Sequence, residues 1–211
     1  MYLERASMRG VARVLGIARQ TLARWIKQWA APLPPLSKTL EPFQPDDVLV
    51  ELDELWSFIT RKANKRWIWI VLCRRTRQAT AFVIGDRSAA TCQRLLDSLP
   101  VPYRSSHSFS DFWDAYQKVF PKDRHQSVGK ETGQTAHVER WNNTLRQRLA
   151  RFVRKSLSFS KANRFHEWVL RLFIITIYQS ICDHYQMDKV EFNTCFSNFT
   201  KALHIRICFW R

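Results

Sequence analysis

No C-x-x-C pair occurs in the sequence, and its five cysteines, Cys73, Cys92, Cys182, Cys195 and Cys208, are scattered through apolar surroundings. That spacing argues against a zinc ribbon and against a disulfide framework, and it fits a reducing cytosol. The N-terminus lacks the apolar core of a signal peptide, and the longest apolar stretch, Leu172 to Tyr178, is too short to cross a bilayer. A soluble, cytoplasmic protein is therefore expected. Internal repeats and low-complexity tracts are missing too, which sets aside solenoids and arrays. Acidic residues are scarce, 18 Asp and Glu against 34 Lys and Arg, for a formal charge of +16 and a pI near 10.2. Such self-repulsion is ordinarily offset by a polyanion, so nucleic acid is the first candidate partner. Ribosomal proteins, nucleases, toxins and membrane-surface proteins share this balance, and charge alone does not choose among them.

What is present is enough apolar material for a real core: 45% hydrophobic and 13% aromatic residues over 211 positions suit one medium domain with a small appendage. Residues 1–30 read as helices, and Pro32, Pro34 and Pro35 then break the pattern, placing a Pro-rich linker at 31–46. Val48 to Thr60, Arg66 to Thr76 and Gln78 to Asp86 are rich in β-branched and aromatic residues, with polar turns expected at Arg61 to Lys65 and near Arg77. These read as three consecutive antiparallel strands. Ser88 can cap a helix with Ala89, Cys92, Leu96 and Leu99 on one face, ended by Pro100 and Pro102. A short strand within Ser105 to Ser110, a helix from Asp111 to Phe120 and a fifth strand at His125 to Val128 follow. Val138, Trp141, Leu145, Leu149 and Phe152 recur at helical spacing, and a second long helix carries Phe165, Trp168, Val169, Leu172 and Phe173. Three strands, a helix, a strand, a helix, a strand and then helices is the order of a ribonuclease H-like α/β fold. The expectation is a mixed sheet with flanking helices over 47–180, preceded by a small all-α helix-turn-helix, with 181–211 unassigned.

Within Val11 to Ile26, Gly16 can supply a turn while Leu15, Ile17, Leu22 and Trp25 provide buried faces, the pattern of a helix-turn-helix. Its second helix would expose Arg19, Gln20, Thr21, Ala23 and Arg24, groups suited to base edges and phosphates. An ordinary amphipathic hairpin is the plainer alternative. Further on, Asp53 lies inside the apolar strand Val48 to Trp56, where a carboxylate is costly unless it is paired or binds a cation. Asp111 follows a strand and opens a helix, where it could simply be an N-cap. Glu139 lies opposite the Val138 and Trp141 stripe, where a solvated glutamate is ordinary. In a ribonuclease H-like sheet these three positions meet at one end. Three carboxylates there can hold two divalent metals about 3.5–4 Å apart, one activating the nucleophilic oxygen and one stabilising the leaving oxygen. Oxygen ligands favour Mg²⁺ or Mn²⁺. Glu51, Glu54 and Asp114 are nearby competitors.

The segment His137 to Lys161, with Glu139-Arg140-Trp141-Asn142-Asn143-Thr144-Leu145-Arg146 at its centre, closely resembles the catalytic helix region of the insertion-sequence-one family of prokaryotic transposases. Glu51-Leu52-Asp53-Glu54-Leu55-Trp56 and Ser110-Asp111-Phe112-Trp113-Asp114-Ala115-Tyr116 are similar to that family's first and second acidic motifs, in the same order. The likeness covers about residues 8–178. It implies a DDE enzyme that cuts the ends of its own element and joins the 3′ hydroxyls to target DNA, with Asp53, Asp111 and Glu139 as metal ligands. It also implies an N-terminal DNA-reading region, the element's terminal repeats and target DNA as partners, homo-oligomers on DNA and a nucleoid location. Family members often carry a cysteine-rich zinc-binding segment before the helix-turn-helix, and no cysteine stands upstream of Met8.

Basic side chains surround the acids. Glu139, Asn143 and Arg146 fall at helical spacing, so the acid, an amide and a guanidinium share a face on which DNA phosphate could sit. Arg148, Arg151, Arg154, Lys155 and Lys161 extend the positive surface, and Arg140, Arg154 and Lys155 join the expected DNA contacts. A solvated helix face is the plainer reading of this run. His137 could orient a water near Glu139. A non-catalytic DNA-binding regulator or inactive remnant, and a nuclease acting on hybrids or branched DNA, are the rival functions.

Overall fold

The computed structural model describes residues 2–40, 49–153, 155 and 157–185, with side chains followed as far as Tyr178. Two short helices come first. In α1 (Met8–Val14), Ser7 accepts from the Gly10 amide as N-cap, and α2 spans Arg19–Ala30. Gly16 makes the connection at φ +63°, a conformation that disfavours any residue with a Cβ. Leu22, Ile26 and Ala30, spaced four apart, form the buried edge of α2, together with Val11 from α1. Leu15, expected inside, is 42% exposed because it lies on the turn rather than on the packed edge. Of the expected linker, residues 41–46 lie outside the described residues. Before them a 3-10 turn at Leu36–Thr39 is packed down, with Leu33, Leu36 and Thr39 buried and the Gln78 amide donating to the Thr39 carbonyl at 3.1 Å.

Five strands form one mixed sheet in the order β3-β2-β1-β4-β5: β1 Leu49–Ile59, β2 Arg61–Cys73, β3 Ala79–Gly85, β4 His107–Ser110 and β5 His125–Ser127. The first three pair antiparallel, and β4 and β5 run parallel to β1. This arrangement is consistent with the anticipated ribonuclease H-like fold. The turn expected at Arg61 to Lys65 is instead part of β2. The chain reverses at Thr60, φ +65°, and the register steps from Phe58↔Lys65 to Ile59↔Arg61, so the polar residues form a bulged hairpin end.

Helices cover both faces, and the strands alternate between two cores with the two-residue period of extended chain. Ile68, Ile70 and Leu72 of β2 join the core built with α1, α2, α6 (Ala136–Arg148) and α7 (Asn163–Tyr185). Trp69, Val71 and Cys73 join the opposite core with α3 (Ala89–Ser98) and α5 (Asp114–Val119). Ser88 caps α3 as expected, accepting from the Thr91 amide. A one-turn helix, α4 (Val101–Arg104), leads from it into β4. The long helical pattern through Phe152 divides: α6 ends at Arg148, Leu149 is extended, and Ala150–Phe152 form a 3-10 turn that still buries Leu149 and Phe152. No helix among the described residues is long and apolar enough to cross a membrane.

Candidate active site

Strand alternation decides which acids of β1 face α6. Glu51, Asp53 and Leu55 share that side, and Val50, Leu52 and Glu54 face the other. Glu51 is fully buried and fixes the helix. It accepts from the backbone N–H of His137 at 2.9 Å and of Val138 at 3.0 Å, from Arg74 Nε at 2.7 Å, and it meets His137 Nδ1 at 2.6 Å. A carboxylate at a helix N-terminus satisfies amides that lack intrahelical partners and complements the helix dipole. Two strand residues then advance about 6.6 Å, which a helix covers in four to five residues. A helix held at residues 137–138 therefore brings residue 142 level with Asp53, and Asn142 Nδ2 donates to Asp53 Oδ2 at 2.7 Å.

The other Asp53 oxygen accepts from the Glu54 amide at 2.8 Å. Among the described residues Asp53 makes no ion pair; its hydrogen-bond donors are both neutral. Burial pushes its carboxyl from an ordinary 3.8 up to about 7; the Asn142 hydrogen bond opposes this, while the charges of Glu54 and Asp111 reinforce it. Asp111 lies close enough for its charge to act on Asp53: β4 runs parallel to β1 with Glu51 opposite Phe109, and Asp111 follows directly on the last residue of β4. Asp111 is not the cap of α5. That position is Trp113, whose amide donates to Asp111 Oδ1 at 3.0 Å, an Asx turn that holds the side chain at the strand end. Glu139 is half-buried one turn before Asn142 on α6, and its Oε1 accepts from Thr135 Oγ1 at 3.1 Å. No three His, Cys, Asp or Glu side chains among the described residues are already grouped to hold a metal. The chemistry of the donors nevertheless fits a hard cation: carboxylate oxygens, neutral supporting hydrogen bonds, and a buried Asn142 Oδ1 that lacks a partner among the described residues.

The competing acids are already paired. Glu54, on the opposite face, accepts from Arg87 Nε at 2.5 Å and from the Tyr116 hydroxyl at 2.8 Å. Arg87 in turn lies over the rings of Trp113 and Trp67, at 3.6 and 4.6 Å from their centroids. Asp114 is 67% exposed and pairs with Lys118 at 2.5 Å. Glu51 holds Arg74, and His137 serves this same anchor rather than a water beside Glu139.

Of the expected DNA contacts, Arg19, Gln20 and Arg24 are exposed on α2, and Thr21 is half-buried. Arg140 and Asn143 are exposed on α6, and Lys155 is exposed beyond it. Arg146 is half-buried and donates to the Phe152 carbonyl at 3.1 Å, tying the helix to the 3-10 turn. Arg154 lies outside the described residues. Helical spacing alone puts Asn143 on the acid's face and gives no role to Asn142, which is 4% exposed. The sequence does carry a signal for it. Asn142 stands four residues after Val138 and three before Leu145, inside the apolar stripe, where an amide needs a polar partner.

Comparison with known proteins follows the same segment of chain. Residues 47–179 match the protein-family model described as IS1 transposase. Insertion element iso-IS1n protein InsB of Shigella dysenteriae is 39% identical over 127 residues, covering 60% of this chain and 94% of that protein. Insertion element IS1 protein InsB of Shigella flexneri is 37% identical over 123 residues, 58% of this chain and 91% of its own. Insertion element IS1 4 protein InsB of Escherichia coli K12 is 36% identical over 135 residues, 64% and 78% respectively. The matched stretch contains the whole sheet, Asp53, Asp111 and α6, and the chain belongs to the IS1 transposase family.

Proposed function

We propose that this transposase cuts and joins DNA with divalent metal ions held by Asp53, Asp111 and Glu139. The observation that carries this reading is Asp53. It is a buried strand carboxylate with neutral donors on both oxygens and a second acid at the neighbouring strand end, so its negative charge is left uncompensated and attracts a cation. Two Mg²⁺ or Mn²⁺ ions bound there would activate the attacking oxygen and stabilise the leaving one. The chain's own residues supply the frame. Glu51 sets the height of α6 against β1, the Asx turn fixes Asp111, and Thr135 orients Glu139.

In the first step water attacks the phosphodiester at the element's end, leaving a 3′ hydroxyl and a 5′ phosphate. In the second that hydroxyl attacks target DNA, forming one phosphodiester as another breaks. The exposed Arg19, Gln20 and Arg24 of α2 suit recognition of the terminal repeats through a helix-turn-helix. Arg140, Asn143 and Lys155 suit phosphates along the path to the acids. The test is incubation of the purified chain with duplexes carrying the element's ends, with Mg²⁺ or with EDTA. Metal-dependent nicks ending in 3′ hydroxyl are expected, and they should vanish in Asp53→Asn, Asp111→Asn and Glu139→Gln while DNA binding persists. Cleavage undiminished in a folded variant removes that residue from the set, and binding without cleavage by the unmodified chain points to a regulator.

A further inference from the structure

We propose that Asn142 is a positioning residue for the cation site, fixing the Asp53 carboxylate with a neutral donor where a cationic one would exclude the metal. This rests on the metal reading of Asp53. The amide nitrogen lies 2.7 Å from Asp53 Oδ2, and the Glu54 amide takes Oδ1 at 2.8 Å, so the carboxylate is held in one orientation. Each oxygen then keeps a lone pair for a ligand, since a carboxylate has about four acceptor sites. An Arg or Lys at this height would hold Asp53 equally well and would also supply the positive charge that a divalent ion must bring. Glu51 and Glu54 illustrate that alternative, since each is matched to an arginine.

Two further observations mark Asn142 as more than a packing residue. It occupies the apolar stripe of α6 at 4% exposure, where leucine would fill the space without any polar requirement. Its Oδ1 is buried and has no partner among the described residues, so the residue burdens the fold at one end while serving Asp53 at the other. The orientation of the amide follows from chemistry: reversed, it would set Oδ1 against a carboxylate oxygen, acceptor against acceptor. Asn142 also lies three residues after Glu139, so one rigid helix face carries both the third acid and the group that steers the first.

The experiment compares the full chain with Asn142→Leu, measuring Mn²⁺ binding without DNA by electron paramagnetic resonance and stability by thermal unfolding in EDTA. Asn142→Leu keeps the number of side-chain heavy atoms, adds some bulk, and removes both the donor and the orphaned acceptor. The expected result is a Tm that holds or rises together with Mn²⁺ affinity at least tenfold weaker. Asn142→Gln retains a donor amide and should recover part of the affinity, and Asn142→Ala is read in the same way should leucine fail to fold. A lowered Tm with unchanged Mn²⁺ affinity would overturn the proposal and leave Asn142 structural. An unmodified chain that binds no Mn²⁺ would overturn the metal reading of Asp53, and this proposal with it.

Discussion

Replacing Asp53 with asparagine should make the metal-free protein more stable at alkaline pH, by an amount that the site itself sets. Burial raises the carboxyl from 3.8 to about 7, so between those values the folded chain holds a proton that the unfolded chain releases. Stability therefore falls as pH rises through this window, and the full cost of an ionised Asp53 is present above about pH 7. At about 1.4 kcal/mol per pH unit, the interval corresponds to an upper limit of about 4 kcal/mol. Solvent still reaches part of the side chain, and halving the figure for that screening gives about 2 kcal/mol. Asparagine matches the neutral carboxyl in shape, and Asn142 can turn its amide to offer the unpartnered Oδ1 to the new NH₂ group. Urea unfolding in EDTA at pH 5.5 and 8.5 reads the difference. Asp53→Asn should gain about 2 kcal/mol at pH 8.5, and the gain should be smaller at pH 5.5 by about 1 kcal/mol. A variant less stable than the parent at pH 8.5, or a difference that ignores pH, would mean that an ionised Asp53 does not burden the fold.

Glu51→Leu removes the charge partner of Arg74, leaving its guanidinium only Gln134, and strands two helix amides, and it should lower stability by about 3–5 kcal/mol in the same urea assay. An effect below about 1 kcal/mol would mean that α6 is anchored elsewhere. Arg19→Ala and Arg24→Ala should each weaken binding to the element's ends by about 1–3 kcal/mol beyond any loss on unrelated duplex, if the exposed face of α2 reads bases. Equal losses on both DNAs, measured by fluorescence anisotropy, would reduce these side chains to phosphate anchors. Arg140→Ala combined with Lys155→Ala should flatten the slope of log affinity against log salt by roughly 0.9 for each phosphate no longer neutralised. An unchanged slope would mean a solvated face.

The strands of the sheet are legible because their residues alternate between two apolar cores, a pattern that short-range chemistry prints directly on the sequence. The bulged hairpin end is not. Residues 61–65 are mostly polar and exposed, and Arg61 and Lys65 pair with β1 only because the apolar body of β2 carries them outward beside Phe58. The break after Arg148 is equally hidden, since Leu149 and Phe152 keep helical spacing while the backbone between them does not. At the acids, the candidates can be named from the sequence, whereas their division of labour needs three dimensions. Glu51, Asp53 and Glu54 look alike in a row, and only the facing of β1 gives one to the helix amides, one to Asn142 and one to Arg87 and Tyr116.

If Asp53, Asp111 and Glu139 hold the same cations, iron bound in their place should cut the protein's own backbone at all three. With Fe²⁺ replacing Mg²⁺ in the presence of ascorbate and element-end DNA, hydroxyl radicals form at the bound ion and cut nearby peptide. Three sets of cuts are expected, around residues 53, 111 and 139, all suppressed by excess Mg²⁺ and all lost together in Asp53→Asn. Cuts concentrated elsewhere, or cuts at one of the three segments that survive when Asp53 is replaced, would contradict a shared site.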